Sequence, residues 1–259
     1  MNIQAVWQDF QNNNDRYRQL LNKFEINIPP DVKSLESFRQ WVAVDPMPPS
    51  EKRFKVLTQP EDEKSLIPRA TARVNEIQEA TKRRAFDDGL YLDYGCSDGK
   101  MTLEIAKKLN IPYNNVYGVD KAEFTGVEIK PVLDKANFIL LDRESGVLPF
   151  GNERFDLISA FQVLHHIRNP EPVIRDLVRI LKKDGIFLLR EHDAQPEDHR
   201  LIDFEHLIYP HSNIETNYIG NYHSSVEWDA WLIKAGLIPI GFTFTKGQTF
   251  YYMKAYTKK

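Results

Sequence analysis

The sequence predicts an α/β fold, a mostly parallel sheet covered by helices on both faces and ended by an antiparallel hairpin. Three observations predict it. From residue 89 onward, short apolar runs alternate with stretches of helical periodicity. The first run, Leu90–Tyr94, is followed at once by a glycine-bounded loop, Gly95 to Gly99, and a helical stretch, Met101–Leu109. The last two runs, Leu237–Lys246 and Thr249–Thr257, are separated by Gly247-Gln248, the mark of a type II′ turn.

Taken in order, residues Ala5–Phe24 place Val6, Trp7, Phe10, Tyr17, Leu20, Leu21 and Phe24 at the spacing of one amphipathic helix. Between Asn27 and Pro68, Pro29-Pro30, Pro46, Pro48-Pro49, Pro60 and Pro68 predict extended or irregular chain, with a short helix over Ser34–Val44. This arm either covers a site, binds a protein partner, or packs on the core. Arg69–Phe86 reads as helix, locally basic through Arg69, Arg73, Lys82, Arg83 and Arg84, a solvated face or a phosphate contact. Domain boundaries follow: 1–88, a helical and Pro-rich extension, and 89–259, the α/β domain, with 194–225 inserted on its substrate side.

Strands are expected at Val116–Asp120, Ala136–Asp142, Arg154–Phe161 and Ile186–Arg190. A helix over Glu171–Leu181 is closed by Lys182-Lys183-Asp184-Gly185, with glycine as the stop. Glu227–Ala235 is a further helix, ended by Gly236.

The totals narrow the class. A chain of 259 residues with 42% hydrophobic and 27% charged residues is an ordinary globular composition. A net charge of -3 does not suggest a dedicated nucleic-acid binder. One cysteine, Cys96, excludes an internal disulfide and fits a reducing compartment. No charged-then-apolar leader and no run near the ~20 residues of a membrane span is present, so the expectation is a cytoplasmic protein.

From Leu90 onward the motifs stand in a recognisable order: Leu92-Asp93-Tyr94-Gly95-Cys96-Ser97-Asp98-Gly99, Gly118-Val119-Asp120, Leu141-Asp142-Arg143, Leu148-Pro149-Phe150, the run Phe155 to Ile167, and Leu181 to Ile186. As a set this resembles the class I S-adenosylmethionine-dependent methyltransferases. The resemblance implies a Rossmann-like seven-stranded sheet whose last two strands form the antiparallel pair. It implies S-adenosylmethionine as cofactor and transfer of its methyl group to an acceptor. Ser97 stands where the family often has a middle glycine, while Gly95 and Gly99 keep the close-approach positions.

The resemblance places Asp93, Gly95, Cys96 and Gly99 against the cofactor's amino-acid tail, and Phe161 and Gln162 facing the methyl group and tail. Asp120, followed by Lys121, suits the ribose diol, since a carboxylate offers two acceptor oxygens. Asp142 and Arg143 suit the adenine edge. For chemistry, Glu191, His192 and Asp193 end the fifth strand, where ligands gather in open sheets, and His192 would take a proton from a hydroxyl acceptor. Capping of the strand and the next loop is the other reading of these three. The insertion, rich in His and Tyr, and the Leu164-His165-His166 stretch give His166, Tyr222 and His223 as acceptor-side candidates. No metal site is expected. Adjacent histidines point different ways, and no acidic residue stands near Gln162. The acceptor expected is a small molecule. RNA or its cap is the alternative, with the basic helix as phosphate tracker, although neither an Asn/Asp-Pro-Pro-Tyr run nor a Lys-Asp-Lys-Glu set is found. A cofactor-binding scaffold without catalysis is the second alternative.

Overall fold

The computed structural model describes residues 3–23, 26–43, 63–121, 123–124, 127–128, 132–134, 137–141, 147–208, 220–244 and 251–258. The chain divides into two compact units, residues 1–62 with 195–220, and residues 63–194 with 221–259.

The first unit is helical: α1 (Ile3–Asn12), α2 (Asn14–Lys23), α3 (Leu35–Ala43) and, from the insertion, α7 (His199–Ile208). The single helix expected over Ala5–Phe24 is two. Asn13 interrupts it within an Asn12-Asn13-Asn14 run of poor helix formers, its side chain donating to Asp9 Oδ1 at 2.7 Å. Ser34 begins α3, its Oγ accepting the Ser37 N–H at 3.1 Å. The unit is held by aromatic rings: Phe204 of α7 lies 4.9 Å from Tyr17, 5.9 Å from Phe10 and 6.0 Å from Phe38 between centroids. Arg16 pairs with Asp198 at 2.5 Å. The arm and the insertion, far apart in sequence, therefore make one small core.

The second unit is built on one sheet. Its strands are β1 (Tyr91–Tyr94), β2 (Val116–Lys121), β5 (Phe138–Leu141), β6 (Phe155–Phe161), β7 (Leu181–His192), β8 (Leu237–Phe244) and β9 (Tyr251–Lys258). Their order is β5-β2-β1-β6-β7-β9-β8. The first five are parallel; β9 runs antiparallel to β7 and to β8. This is a Rossmann-like sheet with the antiparallel end expected from the sequence. The Gly247-Gln248 turn lies outside the described residues. A separate two-stranded ribbon, β3 (Glu123–Phe124) with β4 (Val127–Glu128), has no counterpart in the sequence reading.

Helices cover both faces. On one side α6 (Pro170–Ile180) and α8 (Ser225–Lys234) bury Ile174, Leu177, Trp228 and Leu232 against Leu92, Ile158, Phe187 and Tyr252. On the other, α4 (Glu63–Thr81) and α5 (Lys100–Lys108) bury Val74, Ile77, Ile105 and Ala106 against Tyr91, Val116, Leu157 and Leu188. Neighbouring residues of β7, such as Phe187 and Leu188, thus serve opposite cores, as the period of two requires.

Helix α4 departs from the sequence reading in two ways. Pro68 sits inside it, removing one backbone hydrogen bond without ending it. The helix also belongs to the sheet unit rather than the extension, because its Val74 and Ile77 are core residues there. Gly185 does not carry the left-handed turn after α6; Asp184 does, at φ 60°. The pairing of β6 with β7 shifts register there, from Phe155↔Leu181 to Leu157↔Ile186.

Candidate active site

The parallel strands bring the ends of β1, β2, β6 and β7 to one edge of the sheet. At the β1 end the loop turns sharply, with Gly95 at φ 82°, Ser97 at 52° and Gly99 at 84°. Gly95 is required twice: by its φ, and because a Cβ would lie 2.5 Å from Val163 Cγ2. The Gly95 and Cys96 N–H groups donate to the Val119 carbonyl at 2.8 and 3.2 Å. Asp120, next along β2, accepts the Ser97 N–H on Oδ2 at 2.5 Å. The half-buried carboxylate and the glycine loop are thereby one construction. Gly99 precedes α5 with no side-chain cap, leaving a glycine-flanked helix start beside that loop. Cys96 is buried and its Sγ packs under Gly118, where a Cβ would lie 2.5 Å away; burial pushes its thiol pKa up, a packing residue rather than a reactive one. Lys121 ends β2, and its side chain, with Asp142 and Arg143, lies outside the described residues.

Asp93, expected near the cofactor's ammonium group, is engaged by two hydroxyls. It is 5% exposed, and its two oxygens accept from Ser159 Oγ at 2.6 Å and Thr102 Oγ1 at 2.5 Å. Tyr91 OH shares Ser159 Oγ at 2.8 Å. Burial pushes the Asp93 carboxyl up to about 6, against the lowering effect of the two hydroxyls. This side chain joins β1, β6 and α5 beneath the loop. The register Asp93↔Ser159 brings the partners together, a signal legible once β1 and β6 are aligned.

The strand-end triplet of β7 splits into three roles. Glu191 is fully buried, and its Oε1 accepts the N–H groups of Val163 at 3.1 Å and Leu164 at 2.8 Å. Its Oε2 lies 2.6 Å from His165 Nδ1. Burial raises the Glu191 carboxyl and lowers the His165 imidazole, disfavouring the charged form of each. Glu191 therefore holds the turn that follows β6. Asp193 accepts the Ser225 N–H at 2.7 Å beside the Ser224–Glu227 capping box of α8. His192 alone joins other candidates: its ring centroid lies 4.9 Å from His165, 5.6 Å from Tyr222 and 4.6 Å from Tyr251.

Among the acceptor-side residues, His166 is half-buried with its ring 4.0 Å from that of His165, and Tyr222 is buried against His165 and His192. His223 is turned away, packed on Trp228 and Trp231 of α8. At the β6 end Phe161 is half-buried and Gln162 holds φ 53°, its N–H bonded to the Arg190 carbonyl at 2.7 Å. Backbone strain at a strand end is a feature of built sites. Arg190, Tyr251 and the Ser159–Thr102 pair were not singled out from the sequence. No helix among the described residues is long and apolar enough to cross a membrane.

The chain is 28% identical over 109 residues to an uncharacterized methyltransferase of Bacillus subtilis, covering 34% of this chain and 43% of that protein. It is 26% identical over 156 residues to a malonyl-[acyl-carrier protein] O-methyltransferase of Porphyromonas gingivalis, 60% of this chain and 57% of that one. It thus spans about half the length of these curated relatives. In fold it is similar to an S-adenosylmethionine-dependent methyltransferase of Thermotoga maritima described as a possible histamine N-methyltransferase. That match has a TM-score of 0.52 at 17% identity, over 80% of this chain and 99% of that one. A family model described as a methyltransferase domain matches residues 61–239, which takes in α4, the glycine loop, Asp120 and the whole of β7. The chain belongs to this methyltransferase-domain family.

Proposed function

We propose that the chain is an S-adenosylmethionine-dependent methyltransferase acting on a small-molecule acceptor through an oxygen or nitrogen nucleophile. The observation that carries the reading is the bond between the glycine loop and Asp120, which fixes a carboxylate and a close-approach loop side by side at the sheet edge. The cofactor would supply a methyl group on a positively charged sulfur. Asp120 would accept from the ribose hydroxyls, and the Gly95–Gly99 loop would let the tail come near the backbone. Asp142 and Arg143 would serve the adenine. Phe161 and Gln162 would line the side from which the acceptor approaches.

Most of the rate gain would come from alignment of the two substrates in a water-poor site. Glu191 supports this by fixing the 163–166 turn through two backbone N–H groups. For a hydroxyl acceptor His192 would take the proton; an amine needs positioning alone. A small acceptor is favoured over RNA because the sequence carries neither an Asn/Asp-Pro-Pro-Tyr run nor a Lys-Asp-Lys-Glu set.

Calorimetric titration with S-adenosylmethionine tests the cofactor, and Asp120→Ala is expected to weaken binding by more than about tenfold through loss of a charged acceptor. Unchanged affinity would overturn the assignment. Transfer of tritium from labelled cofactor into a metabolite pool tests the acceptor class; label found in RNA alone would replace a small molecule by nucleic acid.

A further inference from the structure

Strand β8 ends the sheet and, among the described residues, pairs with β9 alone. Its sequence, Leu-Ile-Pro-Ile-Gly-Phe-Thr-Phe, carries no charge, although charge is the ordinary guard of an edge strand. Gly241 faces α4, since a Cβ there would meet the Ala80 carbonyl, so Ile240 and Phe242 face the opposite way. The register agrees. Phe242 lies opposite Lys254 and Phe244 opposite Tyr252, on the side of the sheet that α8 covers.

Helix α8 leaves part of that side open. Its Asp229 accepts from Lys254 Nζ and from the Tyr256 hydroxyl of β9, while its Lys234 turns the other way, to Glu171 of α6 at 2.6 Å. Val226 and Ile233 stand three residues before and four after Asp229, so they share its side of the helix. Val226 is 74% exposed, Ile233 51%, Ile240 45%, Phe242 41% and Phe244 59%. The rings of Phe242 and Phe244 meet edge to face with centroids 4.6 Å apart. All these residues belong to the same unit.

The charges bordering this surface, Asp229 and Lys254, neutralise each other, so it offers no cationic excess to a nucleic acid or an anionic membrane. The five side chains leave on the order of 500 Å² of apolar surface per copy, and two such faces joined would bury about 1,000 Å², where specific interfaces begin.

We infer that a second copy of this chain covers this face, the two β8 strands pairing antiparallel about a two-fold axis at Phe242. A two-fold contact sets one patch against itself, which suits an apolar surface whose bordering charges already cancel. With Phe242 opposite its own counterpart, Phe244 of each copy falls opposite Ile240 of the other, all on one face of the joined sheet. Pro239 lies outside that five-residue span; the ladder with β9 shifts register after it, and the lack of an N–H there keeps the start of the strand out of further pairing. The pairing is independent of the activity proposed above.

Sedimentation equilibrium of the full chain from about 0.1 to 100 μM reads the assembly. The wild type is expected to be dimeric at the upper end. Phe244→Lys enters a two-fold interface twice and should weaken association by about a hundredfold; Ile233→Glu takes its place should that variant fail to fold. Oxidation of single introduced cysteines reads the axis. Cys96 is buried, so Phe242→Cys should give a disulfide-linked dimer, while Leu140→Cys, exposed on the opposite edge strand β5, should not. The inference is overturned by a wild type that stays monomeric throughout, by a dimer that the substitution leaves intact, or by a Phe242→Cys chain that links no better than Leu140→Cys. A monomer that co-sediments with phosphatidylcholine vesicles through Phe244 also overturns it and makes the face a lipid surface.

Discussion

Glu191 and His165 face each other at 2.6 Å inside the sheet unit, while the other Glu191 oxygen receives the backbone of the turn that carries His165. One side chain thus fixes both a loop and the orientation of an imidazole. Glu191→Ala would leave two or more buried N–H groups without an acceptor, each costing about 1–3 kcal/mol. A fall in thermal midpoint well beyond that of Glu191→Gln, which keeps an acceptor oxygen, is expected. Equal melting of the two variants would mean that the turn holds itself.

Asp93 gives a pH signature. Its carboxyl is held up at about 6 in the folded protein against an ordinary 3.8, chiefly by burial. The folded state therefore binds the proton more tightly between those values. The contribution to stability is complete below about 3.8 and is lost as pH climbs to about 6. Asp93→Asn has nothing to titrate there, so wild type should lose ground to the variant by something on the order of 3 kcal/mol across the window. Denaturant melts of both proteins at several pH values check this, and parallel curves would refute it.

Two glycines separate backbone strain from collision. Gly236 has φ 102° with nothing near its missing Cβ. Gly236→Ala should cost roughly 1 kcal/mol, the left-handed penalty alone. At Gly241 a Cβ would run into the Ala80 carbonyl oxygen of α4. Gly241→Ala should cost several-fold more, on the order of 3 kcal/mol or above, read as the larger drop in thermal midpoint. The opposite ranking would mean that α4 can move off β8.

Asp193 is expected to behave as a cap. Asp193→Ala should lower stability by about 1 kcal/mol, the usual worth of a lost cap. Methyl transfer per folded molecule should stay within about twofold, a change of under ~0.5 kcal/mol in the barrier. A loss of turnover in fully folded protein would return Asp193 to the chemistry.

These contrasts show what a one-dimensional reading can and cannot reach. The alternation that marks β1, β2, β6 and β7 is local, so the strands and the glycine loop were visible as residue patterns. Asp120 was visible as well, because a strand end and a loop determine its place. Asp93 looked like its neighbours in sequence, yet a partner sixty-six residues on turned it inward. Glu191, His192 and Asp193 are consecutive, and only packing tells a buried brace from a cap. The Asp229–Lys254 pair joins a helix to a distant strand, which no local period records. Asn13 is a smaller case: the apolar spacing ran through it, and a side-chain hydrogen bond ended the helix there.

The ring cluster of Trp7, Phe10, Tyr17 and Phe38 with Phe204 has a practical consequence for anyone trimming this protein. A shortened version starting near residue 61, where the family match begins, would keep Phe204 and discard its companions. Oily surface would then be bared on a segment nearly two hundred positions away, and such a fragment should clump or be digested even though its sheet is whole. Whatever the leading helices contribute to turnover, they and the 195–208 segment have to be inherited, swapped or deleted as a pair.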